Sequence, residues 1–449
     1  MKVSIIETSS LGDRSYMISG QGRMVVIDPQ RDIDRVLALA MEHAVRITHV
    51  LETHIHNDYV TGGLELSQMV GAEYVVPAGD DVNYARRAVD DGDVIDAGTF
   101  QLQVMHTPGH THHHVSYILR DADGNAAAVF TGGSMLHGTT GRTDLIDDQH
   151  TEALTRSQYH SVRRLAAELP DTAQVYPTHG FGSFCSATPA SGDSSTVGEQ
   201  RATNPALTHD EQTYVDELLA GLSAYPAYYA HMGLINMSGP QPVDLSTPEP
   251  LDPDELRRRI EAGEWVVDLR HRTAFAAGHL GGTFGFELSG SFVSYLGWLY
   301  DWGAPLTLIG QDDHQIADAR RELVRIGIDR LDGSATGDID SLRGATALRS
   351  YRAVDFADVR AALHNDNLAV LDVRQRQEYD RSHLPGAMNI PLHELPDRID
   401  DVPDRDVWVH CASGYRASIA ASILDRAHRR VVLIDDTFTN AVKAGLATA

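Results

Sequence analysis

The chain has 449 residues and a formal net charge of −26, which is too long for one hydrophobic core and too acidic for nucleic acid or an anionic membrane surface as a partner. Its two cysteines, Cys185 and Cys411, lie far apart, so a stabilising disulfide is not expected. No apolar run reaches the length of a membrane span and the N-terminus has no apolar signal core, which predicts a cytoplasmic protein.

Strands and helices alternate over the first half. Met24–Ile27 reads as a strand closed by Asp28-Pro29, and residues 32–43 carry Ile33, Val36, Leu37 and Ala40 at helical spacing. The apolar run 47–51 reads as a buried strand that opens into Thr53-His54-Ile55-His56-Asn57-Asp58-Tyr59. Alternate residues of a strand point the same way, so His54, His56 and Asp58 can converge on one point. Imidazole and carboxylate ligands suit zinc or iron. A helix from Gly62 and a strand at 73–76 follow, a layering that fits an αββα sandwich with ligands on loops at one sheet edge.

Downstream come Thr107-Pro108-Gly109-His110, then Phe130-Thr131-Gly132-Gly133, Gly141-Arg142-Thr143-Asp144, and Tyr176-Pro177-Thr178-His179-Gly180. His112, His113 and His114 run into a strand, where alternation would turn His112 and His114 to one face and His113 to the other; supporting or surface roles are expected for the three. Cys185, six residues past His179, is a buried small residue or a thiol that accepts sulfur. Residues 236–253 are rich in Pro, Ser and Gly and read as a linker.

The His-x-His-x-Asp stretch and these later stations resemble the metallo-β-lactamase superfamily, and within it the persulfide dioxygenases. The resemblance implies one ferrous ion held by two histidines and a carboxylate, carried here by His54 and His110, with Gly133 at the third position. The usual next histidine is Tyr59, and His179 stands where the superfamily supplies a ligand to a second metal. The site expected here is therefore mononuclear, with His54, His56 and His110 as ligands and Asp58 and His179 close by. Iron(II), one per chain, is the expected cofactor, with zinc or no metal as alternatives. A carboxylate at 133 is expected to raise iron occupancy, provided the backbone there tolerates a side chain.

After the linker the chain repeats itself. Val266-Val267-Asp268-Leu269-Arg270 with Gly278-His279-Leu280 recurs 104 residues later as Val370-Leu371-Asp372-Val373-Arg374 with Ser382-His383-Leu384-Pro385-Gly386. In the second copy the apolar run 407–410 leads into Cys411-Ala412-Ser413-Gly414-Tyr415-Arg416 and then a helical pattern. A thiol there meets unpaired N–H groups at a helix start and the Arg416 charge, which favour a thiolate or persulfide anion. In the first copy Gly310 stands at that place, followed by Asp312 and Asp313. Both copies resemble the rhodanese module.

The expected architecture is thus a metallo-β-lactamase-like domain (1–240), an inactive rhodanese (250–345) that uses Trp298, Tyr300 and Trp302 as contact surface, and an active rhodanese (350–449). Cys411 and Arg416 are the expected catalytic residues, with Ala412, Ser413, Gly414, Tyr415, Arg374 and Cys185 binding substrate. The resemblance implies reactive-sulfur metabolism, with low-molecular-weight thiols and persulfides, thiosulfate and sulfite as partners. A homo-oligomer is compatible with the sequence. The alternatives are a degenerate N-terminal domain that docks or binds persulfide, and a metal-dependent thioester hydrolase.

Overall fold

The computed structural model of the chain describes residues 1–188, 190, 192–362 and 368–447. It divides into two compact units, Met1–Asp244 with Glu322–Gly327, and Leu245–Arg321 with Ile328–Ala449. No helix among the described residues is long and apolar enough to cross a membrane.

The first unit holds two six-stranded sheets. One has the order β1 (Lys2–Thr8), β2 (Asp13–Gly20), β3 (Arg23–Ile27), β4 (Arg46–Leu51), β5 (Glu73–Pro77), β6 (Arg87–Val89). The other contains β7 (Val94–Asp96), β8 (Gln101–His106), β9 (Val115–Arg120), β10 (Ala126–Gly132), β13 (Gln174–Pro177) and β14 (Ser195–Thr196), in the order β14-β13-β10-β9-β8-β7. A short ribbon, β11 (Met135–Leu136) with β12 (Thr139–Thr140), lies between β10 and β13 in the chain.

Strand alternation builds the layers. Tyr16, Ile18, Val25 and Ile27 of the first sheet pack with Val104, Tyr117, Leu119 and Phe130 of the second into one buried core between the sheets. The neighbouring residues Met17, Met24 and Val26 face the other way, onto Ile33, Val36 and Ala40 of the helical segment. Ile118, Val129 and Val175 do the same against Val162 and Leu165 of the helix Thr151–Glu168. This is the expected αββα sandwich. At the C-terminal ends of β4, β8 and β13 the chain leaves the sheets in loops, and those loops carry the histidines.

The segment expected to open as a linker at 236 does not. Helix Tyr229–Ser238 runs through it and Asn236 is fully buried. Asn236 Nδ2 donates to the carbonyls of His56 (2.8 Å) and Tyr59 (2.9 Å), and its Oδ1 accepts from Thr61 N–H (3.0 Å). The side chain thus completes the hydrogen bonding of a loop that no sheet pairs. The irregular stretch starts only after Gly239.

The second unit holds two parallel sheets. One is β16 (Phe284–Gly285), β15 (Trp265–Asp268), β17 (Leu306–Gly310), β18 (Gly333–Thr336), in that order. The other is β19 (Arg352–Val354), β23 (Val431–Ile434), β22 (Asp406–His410), β20 (Leu368–Asp372), β21 (Met388–Asn389). Apart from β19, the two have the same order and connection. Each repeats one clasp: Arg270 binds Asp268 (2.6 Å) and the Gly278 carbonyl (2.9 Å), and Arg374 binds Asp372 (2.6 Å) and the Ser382 carbonyl (2.8 Å). Arg374 also lies 3.6 Å over the Phe438 ring and is buried. It is a structural tie rather than the substrate ligand expected from sequence.

Asn236→Ala should cost about 2–4 kcal/mol, because three buried backbone groups lose their partner at once. Urea denaturation measures it, and a midpoint within error of the unmodified chain would show that the loop does not depend on this helix.

Candidate functional site

The histidine site starts from Asp28, at the end of β3 with a positive φ of 50°. Its carboxylate accepts from Thr53 N–H (2.7 Å), Thr53 Oγ1 (2.8 Å) and Thr178 Oγ1. Thr53 and Thr178 each immediately precede a histidine of the site, so one carboxylate joins the loop after β4 to the loop after β13.

The ligand nitrogens of His54, His110 and His179 then lie within 4.8 Å of one another, with all three side chains buried. In each ring Nδ1 is tied off. His110 Nδ1 donates to the Arg142 carbonyl (2.7 Å), and His179 Nδ1 donates to Asp13 Oδ1 (2.9 Å). Thr53 spends its hydroxyl proton on Asp28 and accepts from His54 Nδ1 (2.8 Å). That leaves the three Nε2 atoms turned inward. His54 and His179 Nε2 are 3.3 Å apart, and His110 Nε2 has no hydrogen-bond partner.

His56 is placed elsewhere. Its Nε2 lies 3.3 Å from Asp28 Oδ1, 3.4 Å from Glu52 Oε2 and 3.0 Å from the Tyr59 hydroxyl, whose ring stacks on it at 4.3 Å. The expected trio of His54, His56 and His110 does not come together as a group, and His54, His110 and His179 do. Burial alone would lower His56, but the Asp28 and Glu52 carboxylates outweigh it and raise it to about 9. Asp58 Oδ2 is 3.1 Å from His179 Nδ1, on the side of the ring carrying Asp13. Asp58 and Asp13 raise His179 to about 10 against the effect of burial. Burial and the neighbouring histidines hold His54 and His110 low, His110 at about 3.

Of the three histidines after His110, His112 and His113 are both exposed, so the alternation expected for them fails before β9 begins. His114 is buried, and its Nε2 accepts from Gly133 N–H (3.0 Å) while Nδ1 meets Thr107 Oγ1 (2.9 Å). With both nitrogens engaged it has no lone pair for a metal. Arg142, in the Gly-Arg-Thr-Asp stretch, binds Asp144 through two bonds of 2.7 Å and the carbonyls of Phe184 and Ser223. Its own carbonyl orients His110.

Two expectations near this site change. A Cβ built on Gly133 would stand 2.2 Å from His110 Cδ2, so the His110 ring takes the space a carboxylate at 133 would need. Cys185 is fully buried, 3.8 Å from the Tyr229 hydroxyl, and burial together with Asp58 and Asp13 pushes its thiol far up. A thiol held protonated is a poor sulfur acceptor.

The cysteine site lies at the C-terminal end of β22. Asp372 pairs with His410 across β20 and β22, so Cys411 is the first residue past the sheet. The loop 411–414 then enters helix Tyr415–Arg426 through Gly414 at φ 90°. A Cβ on Gly414 would lie 2.1 Å from Asp435 Oδ1, which leaves glycine as the residue that fits. The loop is pinned by Phe438 N–H on the Ala412 carbonyl (2.9 Å), and Ser413 is exposed. The Tyr415 hydroxyl donates to the Glu287 carbonyl of the first copy (3.0 Å). Arg416 is paired twice with Glu378 (2.6 and 2.8 Å), so its charge is largely offset. The first-turn N–H groups, which have no intrahelical acceptor, remain as the main anion-stabilising element.

The corresponding register in the first copy pairs Asp268 with Ile309, which puts Gly310 at the Cys411 position. There the Gln315 side chain folds back, accepting from Gln311 N–H (2.7 Å) and donating to the Leu269 carbonyl (3.1 Å). Of the aromatic trio, Trp298 is buried and stacks 4.9 Å from His393 of the second copy, Tyr300 packs against Trp265, and Trp302 is the most exposed.

The metallo-beta-lactamase superfamily model matches residues 13–179, and the rhodanese-like domain model matches residues 355–444. Persulfide dioxygenase ETHE1, mitochondrial, of Homo sapiens is 31% identical over 248 residues, covering 55% of this chain and 83% of that protein. The chain belongs to the persulfide dioxygenase family of the metallo-β-lactamase superfamily, joined to a C-terminal rhodanese domain. A cytoplasmic hydroxyacylglutathione hydrolase of Arabidopsis thaliana is 33% identical over 171 residues, covering 37% of this chain and 63% of that protein. A crystal structure titled as a metallo-beta-lactamase from Staphylococcus aureus subsp. aureus COL is 29% identical with a TM-score of 0.68, covering 75% of this chain and 99% of that one.

These relatives imply an iron or zinc site. The residues present fit one. Three imidazoles with their Nδ1–H groups anchored and Nε2 turned inward are the arrangement in which histidine binds such a metal, His179 giving up its Nε2 proton on binding. The unpartnered Nε2 of buried His110 is otherwise a polar atom with no explanation.

Gly414→Ala should lower stability by about 1–3 kcal/mol, through the left-handed backbone and the contact with Asp435. A thermal melt checks this, and an unchanged transition would mean that the loop re-forms around a side chain.

Proposed function

We propose that this chain acts in reactive-sulfur metabolism, its C-terminal rhodanese passing sulfane sulfur through a persulfide on Cys411. The setting of Cys411 carries the reading: a thiol at the end of a parallel strand, in a tight loop at the N-terminus of a helix. The Cys411 thiolate attacks the outer sulfur of a persulfide or of thiosulfate. The S–S bond breaks, and a thiolate or sulfite leaves with the electron pair. An acceptor thiolate or sulfite then attacks the terminal sulfur of the Cys411 persulfide, and the Cys411 thiolate leaves. No net oxidation occurs. The N–H groups at the helix start stabilise the negative charge on either form, while the Arg416–Glu378 pair holds the helix start in place.

In this reading residues 1–240 form a metal domain, 250–345 a rhodanese without chemistry, and 350–449 the active rhodanese. A ferrous ion in the first would bring reaction of persulfide with dioxygen to sulfite, which the Cys411 persulfide can convert to thiosulfate. Low-molecular-weight thiols and persulfides are the substrates. A second reading, in which the first domain binds or delivers persulfide without turnover, is favoured by Gly133, which offers no carboxylate.

Incubation with thiosulfate or glutathione persulfide should add the mass of one sulfur at Cys411, and Cys411→Ser should abolish transfer to a thiol acceptor. Undiminished transfer by that variant would end the proposal. A Gly310→Cys, Cys411→Ser protein should remain inactive, since Gln315 fills the first-copy loop. For the first domain, oxygen uptake by the iron-loaded chain with glutathione persulfide decides between dioxygenase and docking module.

A further inference from the structure

The family's ligand pattern, two histidines and a carboxylate, cannot be completed at position 133, yet the histidine cluster is assembled and closed to solvent. We propose that a single divalent cation is held by Nε2 of His54, His110 and His179, with no carboxylate ligand and with His56 outside the set. The inference rests on the N-terminal domain being a metal domain and names which of its residues do the holding.

Spacing supports the set. Metal–nitrogen bonds of about 2.0–2.1 Å in a tetrahedral site put neighbouring ligand atoms about 3.3–3.4 Å apart. His54 and His179 Nε2 stand at 3.3 Å, longer than a good hydrogen bond between rings and equal to that edge. His110 Nε2 completes the group without a partner of its own. Each ring is oriented from behind by a different acceptor, Thr53 Oγ1, the Arg142 carbonyl or Asp13, which is the arrangement that fixes a ligating tautomer.

The alternatives fail on position. His56, whose Nδ1 is also buried without a partner, groups with Asp58 and His179 and not with His54 and His110. Asp58 lies beside Nδ1 of His179, the nitrogen that already meets Asp13. His56 Nε2 faces Asp28 and Glu52 and is held by them. Gly133 is barred by the His110 ring. Negative charge therefore reaches the metal only through a hydrogen bond, from Asp13 across His179.

The test uses the full chain, stripped with a chelator and titrated with Zn²⁺ alone. One Zn²⁺ per chain is expected. His54→Ala, His110→Ala and His179→Ala should each weaken binding by at least about 100-fold, and His56→Gln by no more than about tenfold. Gly133→Asp should weaken binding, and should not rescue His179→Ala. Because buried substitutions can unfold the loop, X-ray absorption of the unmodified, Co²⁺-loaded chain gives a second reading, with three imidazoles expected. Zn²⁺ affinity unchanged in His179→Ala, restoration by Gly133→Asp, or fewer than three imidazoles on Co²⁺ would overturn the assignment. This pattern of Zn²⁺ binding without oxygen uptake would defeat the dioxygenase reading and leave the ligand set standing. Oxygen uptake that survives His179→Ala would do the reverse.

Discussion

The Asp28 carboxylate is the constraint on which the histidine site depends. It binds Thr53 and Thr178, and so sets the distance between two loops that leave different sheets. The residue holds a left-handed backbone that an aspartate adopts only at some cost. Four hydrogen-bonding partners offset that cost: the Thr53 amide, the two threonine hydroxyls, and His56. Loops from separate sheets would otherwise bring His54 and His179 together only in a fraction of conformers. A metal site built that way would lose affinity in proportion.

Around this point the buried charges divide into two groups by position. Asp28 and Glu52 enclose His56, and Asp13 with Asp58 lies beside His179. Burying four carboxylates is tolerable only with such partners, because an unpaired buried charge costs several kcal/mol. The remaining rings, His54, His110 and His114, have no carboxylate beside them and are held neutral by burial. His114 is satisfied by a backbone amide, whereas His110 is not. One site thus contains histidines with three different jobs, ion-pair partner, backbone support and ligand candidate. Tyr59 contributes by capping His56 and keeping it with the acids.

What could be read from the sequence follows from the range of the interactions involved. The sandwich was legible because strand alternation and helical spacing are local, and the Cys411 loop because its strand, turn and helix are contiguous. Convergence of His54, His110 and His179 was legible only as membership of a candidate set. Choosing His179 over His56 requires knowing that Asp28 and Glu52, 28 and 4 residues before His56, fold against the same nitrogen. Asn236 looked like the start of a linker because its partners lie about 175 residues upstream. Gly133 was recognised as a missing ligand, but the reason no side chain fits is the His110 ring, which no pattern along the chain exposes. Arg374 looked like a substrate ligand because it is a cation near the active loop; the identical clasp at Arg270 identifies it as scaffold.

That clasp recurs in both sheets of the second unit, of which only one carries a cysteine. Both copies keep the aspartate and arginine at the end of the central strand, with matching distances to carboxylate and carbonyl. Both keep the register that delivers the next strand one residue short of the loop. They part only beyond the sheet, where one loop presents Cys411 to a helix N-terminus and the other folds Gln315 into the same place. A glutamine amide there meets the backbone donor that an anionic sulfur would otherwise claim. The bond from Gln311 N–H closes the exposed loop on itself. The first copy's Glu287 carbonyl bonds the Tyr415 hydroxyl of the copy that carries the thiol.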